Sequence, residues 1–449
     1  MKFEKQMKKH IDEVFEENVP NPYPKKKSTF PRWLKIAMPI GAGVLATSIA
    51  LAIIVPNVTL NTPNSVTPFT VSPVAAPKHN GMVSLDRDWI KRTSPKSLMS
   101  LDSYFADSDN KNFVLSPASF LLATSGLIAV SEGFNLDAYG LVDAKADTKA
   151  LLESMNWYWE NDGTRLIDFK SGILHQQVGN KFPFDENKAK AVEDSYIATS
   201  RATADNYVQQ AQQYFKKSVG LTIPVPKVEL PDGQGVVTYG ALKFMDLSVF
   251  ETKKNDFYIG DKKVSIDTAT LGSINWPMQH LTYFENEQYQ TFAFWINGTS
   301  LQIILPREGV SLESISVSEA YTNFISSKTS RNIYGYVPYF HLNTDSFDIT
   351  PSISKKFTGQ EKLYTNLLVN ENALRTDDAG FYIKALQTSD FEFCEKGVFG
   401  ETITAIGAGS SSMPDTKDPL LIEVNRPFYA ISLLDDFPLF VNKVNDPTK

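Results

Sequence analysis

The sequence predicts an α+β domain carried behind a single membrane-crossing helix. Three observations point there. Ile36 to Val55 is a run of 20 residues without a charge, long enough to cross a bilayer as a helix. Asn112 to Ala123 (Asn-Phe-Val-Leu-Ser-Pro-Ala-Ser-Phe-Leu-Leu-Ala) reads as a short apolar strand, a Ser-Pro junction and an apolar helix. Asp390-Phe391-Glu392-Phe393-Cys394 alternates as a strand with Phe391 and Phe393 on one face. It leads into a segment of small residues with few charges, 395–414. The chain has 449 residues, 42% hydrophobic and 21% charged, which is ordinary globular composition with length for a large core.

Composition also excludes some classes. A net charge of -7 argues against a nucleic-acid surface. Cys394 is the only cysteine, so no intrachain disulfide and no cysteine-based metal site can form. The five histidines, His10, His79, His175, His280 and His341, sit in no catalytic motif. There is no Gly-x-Ser-x-Gly elbow and no His-Glu-x-x-His. His341 beside Phe340 reads as a strand residue rather than a base. The chain is therefore expected not to be an enzyme, with no cofactor and no metal. No internal repeat is present.

Taken in order, residues 1–35 are polar, and Lys25, Lys26, Lys27, Arg32 and Lys35 crowd just before the apolar run. Positive-inside places 1–35 in the cytosol and everything after 56 outside, with Trp33 as an interfacial anchor. Pro39 and Gly41 are tolerated in a lipid-spanning helix. A cleaved signal peptide is the competing reading, but the preceding region and the apolar core are both long for one. Gly41-Ala42-Gly43 with Ala46 loosely mimics a dinucleotide fingerprint, yet no strand precedes it. Residues 56–81 are rich in Pro, Thr, Ser, Asn and Val and read as an extended tether. The folded domain is expected over 82–449.

Ser84 to Phe105 has helical spacing, with Trp89, Leu98, Leu101 and Phe105 as core residues. Ser116 is placed as a helix cap and Pro117 suits the first helical turn. Asn206 to Lys217 reads as an amphipathic helix with Tyr207, Ala211 and Phe215 inward. Phe292–Trp295 and Leu301–Pro306 pair as a hairpin across Asn297-Gly298. In 395–414 one alternate set is Val398, Gly400, Thr402, Thr404, Ile406, Ala408 and Ser410, and the other holds Phe399, Glu401 and Ile403. A strand puts these sets on opposite faces, so the first could be buried in a sheet. The glycines equally permit a mobile surface loop.

These stretches resemble the serpin family. Glu395-Lys396-Gly397 followed by small residues resembles the start of its reactive-centre loop, and Ser116-Pro117-x-Ser119 its strand-to-helix signature. Gly179 to Asp185 resembles an N-x-x-F-x-D strand, and Leu301 to Pro306 with Glu308-Gly309 the L-P-x-x-G strand end. Tyr334 to Leu342, with Val337-Pro338-Tyr339-Phe340, resembles the P-K-F strand, and Phe347-Asp348-Ile349 its continuation. Asn425 to Tyr429 resembles the N/D-R/H-P-F strand, and Phe440 to Pro447 resembles F-x-G-K-V-x-x-P with Asn442 for the usual Gly. The likeness covers roughly 85–449, strong at both ends and thin over 125–235. Val236 to Phe250 fits the position of the central-sheet strand, but Thr238 stands where the family usually has Asn. Phe244-Met245-Asp246 likewise replaces a Phe-Lys-Gly-x-Trp pattern.

The resemblance implies a large central β-sheet, two smaller sheets, surrounding helices and an exposed loop. It implies an inhibitor of serine endopeptidases, which the 36–55 span and the basic residues before it would make extracellular and membrane-tethered. The protease forms an acyl-enzyme with the loop. The cut loop then enters the large sheet as a new strand and releases stored strain. About sixteen residues at ~3.3 Å each carry the trapped protease ~53 Å. The alternative is a non-inhibitory serpin-fold binding domain at the cell surface. Family spacing from Glu395 puts the cleaved bond at Ser411–Ser412, with Met413 as the alternative. It assigns the loop hinge to Glu395, Gly397, Val398, Gly400 and Thr402. It assigns the region where the sheet parts to Ser116, Ser119, Thr238 and Gln387. The implied partners are elastase- or subtilisin-like serine proteases rather than trypsin-like ones, a cysteine protease as a further candidate, and membrane lipid through 36–55. No nucleic acid is implied.

Overall fold

The structure is a computed structural model that describes residues 79–80, 86–107, 111–130, 140–155, 157–158, 165–175, 197–201, 206–227, 236–296, 298–327, 329–348, 386–400 and 418–449. The chain divides after Ser65, and all of these residues belong to the second unit, Val66–Lys449. The cytoplasmic segment, the 36–55 span, nearly all of the tether and residues 179–185 lie outside the described residues. Among the described residues no helix is long and apolar enough to cross a membrane.

In chain order, β1 (His79–Asn80) precedes α1 (Arg87–Asp107), and β2 (Phe113–Leu115) runs into α2 (Pro117–Val130). Next come α3 (Ala144–Met155), β3 (Trp157–Tyr158), β4 (Arg165–His175), β5 (Ile197–Arg201) and α4 (Tyr207–Ser218). A run of strands follows: β6 (Val236–Leu247), β7 (Thr252–Ile259), β8 (Lys262–Thr270), β9 (Gly272–Ser273), β10 (Trp276–Glu285), β11 (Tyr289–Trp295) and β12 (Ser300–Pro306). After α5 (Val317–Ser326) come β13 (Ser330–Pro338), β14 (Phe340–Asp348), β15 (Leu386–Cys394) and β16 (Gly397–Gly400). The chain ends with β17 (Leu420–Glu423), β18 (Phe428–Leu434) and β19 (Phe437–Val444).

The described strands form two sheets. An eight-stranded sheet has the order β1-β3-β4-β6-β16-β15-β14, with β5 on β4. An eleven-stranded sheet has the order β2-β19-β18-β12-β11-β10-β13-β8-β7, with β17 on β13 and β9 on β10. The sequence led to an expectation of two smaller sheets here. They are continuous because β10 serves both: Met278 pairs with Ile333 of β13, while Tyr283 pairs with Phe292 of β11. A bulge between Met278 and Leu281 bends the strand there, and His280 takes a φ of 55°. The stretch Tyr334 to Leu342 is likewise not one strand. It breaks at Tyr339, where the chain leaves the eleven-stranded sheet and enters the eight-stranded one.

Local chemistry accounts for the helices. Asp86 caps α1, its Oδ1 accepting from the Asp88 and Trp89 amides at 2.8 and 3.1 Å. Trp89, Leu98 and Phe105 are buried as their spacing predicts. α2 is apolar on nearly all sides, and Ala118, Phe120, Leu121 and Leu122 are all buried, which is the pattern of an internal helix. α4 is amphipathic and turns Tyr207, Ala211, Tyr214 and Phe215 inward. They meet Tyr239 and Ala241 of β6 in a small core of their own. The main core lies between the two sheets and is strongly aromatic. Phe440 of β19 packs against Phe244 of β6 and Phe391 of β15, with ring centroids 6.4 and 5.4 Å apart.

Candidate functional site

The segment expected as an exposed loop begins inside the eight-stranded sheet. β15 ends at Cys394, the chain turns through Glu395 and Lys396, and β16 runs back antiparallel, with Cys394 opposite Gly397 and Phe391 opposite Gly400. Its other edge pairs antiparallel with β6, Gly397 opposite Leu247 and Gly400 opposite Phe244. Glu395 and Lys396 are exposed, but their carbonyls accept from the amides of Phe250 and Ser248 at 3.2 and 3.0 Å. Gly397 is required. Its φ is 123°, and a Cβ there would sit 2.0 Å from the Asp246 carbonyl oxygen. The expectation of an exposed loop is thus corrected for residues 397–400 alone: Gly397 and Val398 are buried, because backbone edges on both sides and an aromatic bed below receive them, while 401–414 lie outside the described residues.

Side chains follow the two faces read from the sequence. Val398 is fully buried, opposite Phe393 and Asp246, and Phe399 lies half-buried on the other face, opposite Glu392 and Met245. Beneath them Phe393 is ringed by Phe250, Phe294, Tyr339 and Phe340 at centroid distances of 5.6, 5.9, 5.3 and 6.0 Å. Asp246 is fully buried at this entrance. Its Oδ2 accepts from the amides of Gly298 and Thr299 at 3.0 and 2.8 Å and from the Thr299 hydroxyl at 2.5 Å. These charge-assisted bonds tie the turn between β11 and β12 to β6.

Further along the same sheet, the start of α2 is fastened to both strands that flank β16. The Gln387 side chain on β15 accepts from the Ser116 amide at 2.6 Å and donates to the Ser116 carbonyl at 2.9 Å. The Ser116 hydroxyl donates to the Leu439 carbonyl at 2.7 Å and accepts from the Ser119 amide at 3.1 Å. On the other flank the Ser119 hydroxyl donates to the Gly240 carbonyl of β6 at 2.6 Å. Gly240 allows this closeness, since a Cβ there would meet the Ser119 carbonyl oxygen at 2.3 Å. Ser116, Ser119 and Gln387 are thus brought together as one latch. Thr238 lies two residues before Gly240 on β6, opposite Ile173 of β4. Thr402, Ser411, Ser412 and Met413 lie outside the described residues.

Three side chains on β14 and β15 beside this site have their protonation shifted by their surroundings. Burial pushes the Cys394 thiol up to about 12, so it stays protonated. His341 bonds Asp390 at 3.0 Å, and that bond holds the imidazole above its ordinary range. Burial works to raise Asp390, but the bonds from His341 and Asn343 outweigh it and hold the carboxylate below its ordinary range. His341 is a strand residue, as its sequence context suggested, bonded across the strands to Asp390.

Sequence reasoning missed Asp246 and Gly240. The only signal for Asp246 is a carboxylate in a largely apolar strand that also holds Lys243, because its partners lie more than fifty residues away. Gly240 carries no signal except that a glycine interrupts a strand, which marks close backbone approach.

No protein-family model and no curated protein sequence matches the chain. Solved structures do. The chain is similar to Arabidopsis AtSerpin1 in its native stressed conformation, with a TM-score of 0.57, 15% identity, and 81% of this chain and 100% of that one covered. It is similar to human thyroxine-binding globulin complexed with thyroxine, with a TM-score of 0.58, 16% identity, and coverage of 80% and 100%. The thermophilic serpin Tengpin in its native state gives 0.53, 15%, 82% and 97%. At these identities the likeness establishes the fold, which is that of a serpin.

Proposed function

We propose that the chain is a membrane-tethered inhibitor that traps serine endopeptidases by inserting its cut loop into the eight-stranded sheet. The observation that carries this is β16, four residues of the loop already seated between β6 and β15 and antiparallel to both. Continuing that register sets Thr402 between Leu242 and Ser389, and Thr404 between Gly240 and Gln387. The last two are the residues that the α2 latch grips, so insertion past Thr402 runs through the bonds of Ser116 and Ser119. The remaining assignments rest on sequence: cleavage at Ser411–Ser412 or after Met413, elastase- or subtilisin-like targets, and anchoring of an extracellular domain through 36–55.

The test is incubation of the detergent-purified chain with elastase-, subtilisin- and trypsin-like proteases, read on a denaturing gel and by melting. The expected result is a boiling-resistant covalent complex with one of the first two and a higher Tm after cleavage. Val398→Glu should still be cut near Ser411–Ser412 but form no complex, because an unpaired buried charge costs several kcal/mol. Asp246 is the cross-strand partner of Val398, so Val398→Arg should impair trapping less than Val398→Glu. Cleavage by every protease without complex or gain in Tm sinks the trapping reading. A non-inhibitory binder then remains, a role with a precedent on this fold in the thyroxine-bound globulin. For the topology, protease added to intact cells should remove the domain and spare a tag at residue 1.

A further inference from the structure

Exposed protein surface normally carries charge. One exposed strip of this molecule does not. From Thr268 to Phe284 the chain has no Asp, Glu, Lys or Arg, although the whole sequence is 21% charged. β11 and β12 also lack charge, but they are mostly buried. Here Ser273, Ile274, Asn275, Trp276, Gln279 and His280 are all exposed. The strip includes the hairpin of β9 and β10, where Ser273 pairs with Trp276 across a turn of two residues, Ile274 and Asn275. That hairpin is fixed in shape. Gly272 takes a φ of 65°, and a Cβ there would meet the Trp276 carbonyl oxygen at 2.4 Å. The Trp276 amide donates to the Ser273 hydroxyl at 3.3 Å. The tip thus holds Ile274 and Trp276 out, 61% and 83% exposed.

An aliphatic side chain and an indole on a rigid tip, with uncharged polar groups behind them, suit the boundary between lipid headgroups and acyl chains. Trp gathers at that level of a bilayer, and no charge has to be desolvated to reach it. The tether supplies the surface. Residues 56–78 link the apolar run to β1, and as a flexible coil they reach about 26 Å. A domain of about 370 residues has a radius of gyration of about 21 Å, so one of its faces stays close to the bilayer. We infer that the β9–β10 tip dips Ile274 and Trp276 into the lipid interface and so fixes which face of the domain meets the membrane. The inference rests on the membrane-tethered reading and adds a second, reversible contact to the 36–55 span. An uncharged tip needs no anionic lipid, which suits a chain of net charge -7.

The test places an environment-sensitive dye on the tip of the full chain. In a Cys394→Ala background, Asn275→Cys or Val142→Cys provides the single labelled site. Asn275 lies between the two apolar residues, and Val142 is exposed but outside the uncharged strip. Each chain is reconstituted in phosphatidylcholine vesicles with or without lipid that carries a quencher on its acyl chain. The dye at 275 should be quenched at least twofold and the dye at 142 hardly at all. Adding Ile274→Ser and Trp276→Ser should lower quenching at 275 to the level at 142. These two changes touch exposed side chains and should leave Tm within about 2 °C of the parent. Quenching should be equal in ~0.1 M and ~0.5 M salt and gain nothing from phosphatidylglycerol. Flotation with the vesicles reports the span separately, since the serine variant should still float. If it does not, the tether reading fails, and quenching at 275 in excess vesicles decides the tip by itself. No quenching at 275, or equal quenching at 275 and 142, overturns the inference. So does quenching that salt abolishes. A dye shift at 275 without vesicles that grows with protein concentration assigns the tip to a second copy and overturns it too.

Discussion

Two hairpins of this molecule share a backbone plan and differ in what their side chains do. β18 and β19 turn through Asp435 and Asp436, which take φ of 46° and 70°. Such left-handed values suit a two-residue hairpin turn. β15 and β16 turn through Glu395 and Lys396. β18 is bonded on both edges, by β12 and β19, and β16 is bonded on both edges, by β15 and β6. Yet every residue of β18 and β19 is buried, whereas β16 has a glycine at each end, one fully buried valine and a half-buried phenylalanine. A backbone hydrogen bond contributes roughly 0.5–1.5 kcal/mol net, while a fully buried large apolar side chain contributes about 1.5–3 kcal/mol. Burial therefore decides which hairpin is permanent. β19 is fixed core, whereas β16 is held by its two backbone ladders and one fully buried valine.

The largest effect expected from this contrast is at Phe440, which touches rings from both walls of the position that β16 fills. Phe440→Ala should destabilise the protein by about 3–5 kcal/mol in chemical denaturation, and by the same amount whether or not the loop has been cut. Val398→Ala should cost the intact chain about 1–2 kcal/mol, its valine contributing less than a core phenylalanine. Equal losses at the two positions would erase the distinction between the hairpins.

An intermediate effect is expected at the latch. Gln387→Ala leaves the buried Ser116 amide and carbonyl without their partner, at about 1–3 kcal/mol for each unsatisfied group. Amide exchange of β15 should quicken while that of β19 does not. Uniform quickening would mean that the latch is merely part of the common core.

The smallest effect is at the exposed face. His341 has a raised pKa, so its contribution is full below the ordinary 6.5 and fades as pH rises through the raised value. Asp390 has a lowered pKa, so its contribution is full above 3.8 and is lost as pH falls through the lowered value. His341→Asn should therefore lower stability most between about pH 4 and 6.5, with the loss fading as pH rises through the raised value. The pair is partly exposed and screened, so the loss should be about 0.5 kcal/mol. A larger loss at pH 8 would contradict the assignment.

Much of this arrangement was legible in the chain. The Phe391–Phe393 face, the inward face of α4, the hairpin of β11 and β12 and the two faces of 397–400 all follow from short-range periodicity. Side-chain direction there is set by neighbours two to four residues away. Asp246 and the fusion of the two smaller sheets were not legible, because each depends on partners far along the chain or on a local bend. A bulge at His280 has no mark in the alternation around it. Nor does periodicity reveal that residues 397–400 are docked, since a strand and an extended loop share the same pattern.

β16 also bears on the kinetics of any further strand growth. The slow event in adding a strand is bringing a free chain to the edge in one register, which carries the loop-closure entropy. Here a nucleus of four residues is in place and pinned at Gly397, where no other side chain fits. Growth from it is propagation alone, one residue pair at a time. The frame is set as well: a slip of one residue would turn Phe399 into the place of Val398 and reverse every later side chain. The timing of such growth is then governed by the bonds ahead of the tip rather than by a search for the correct alignment.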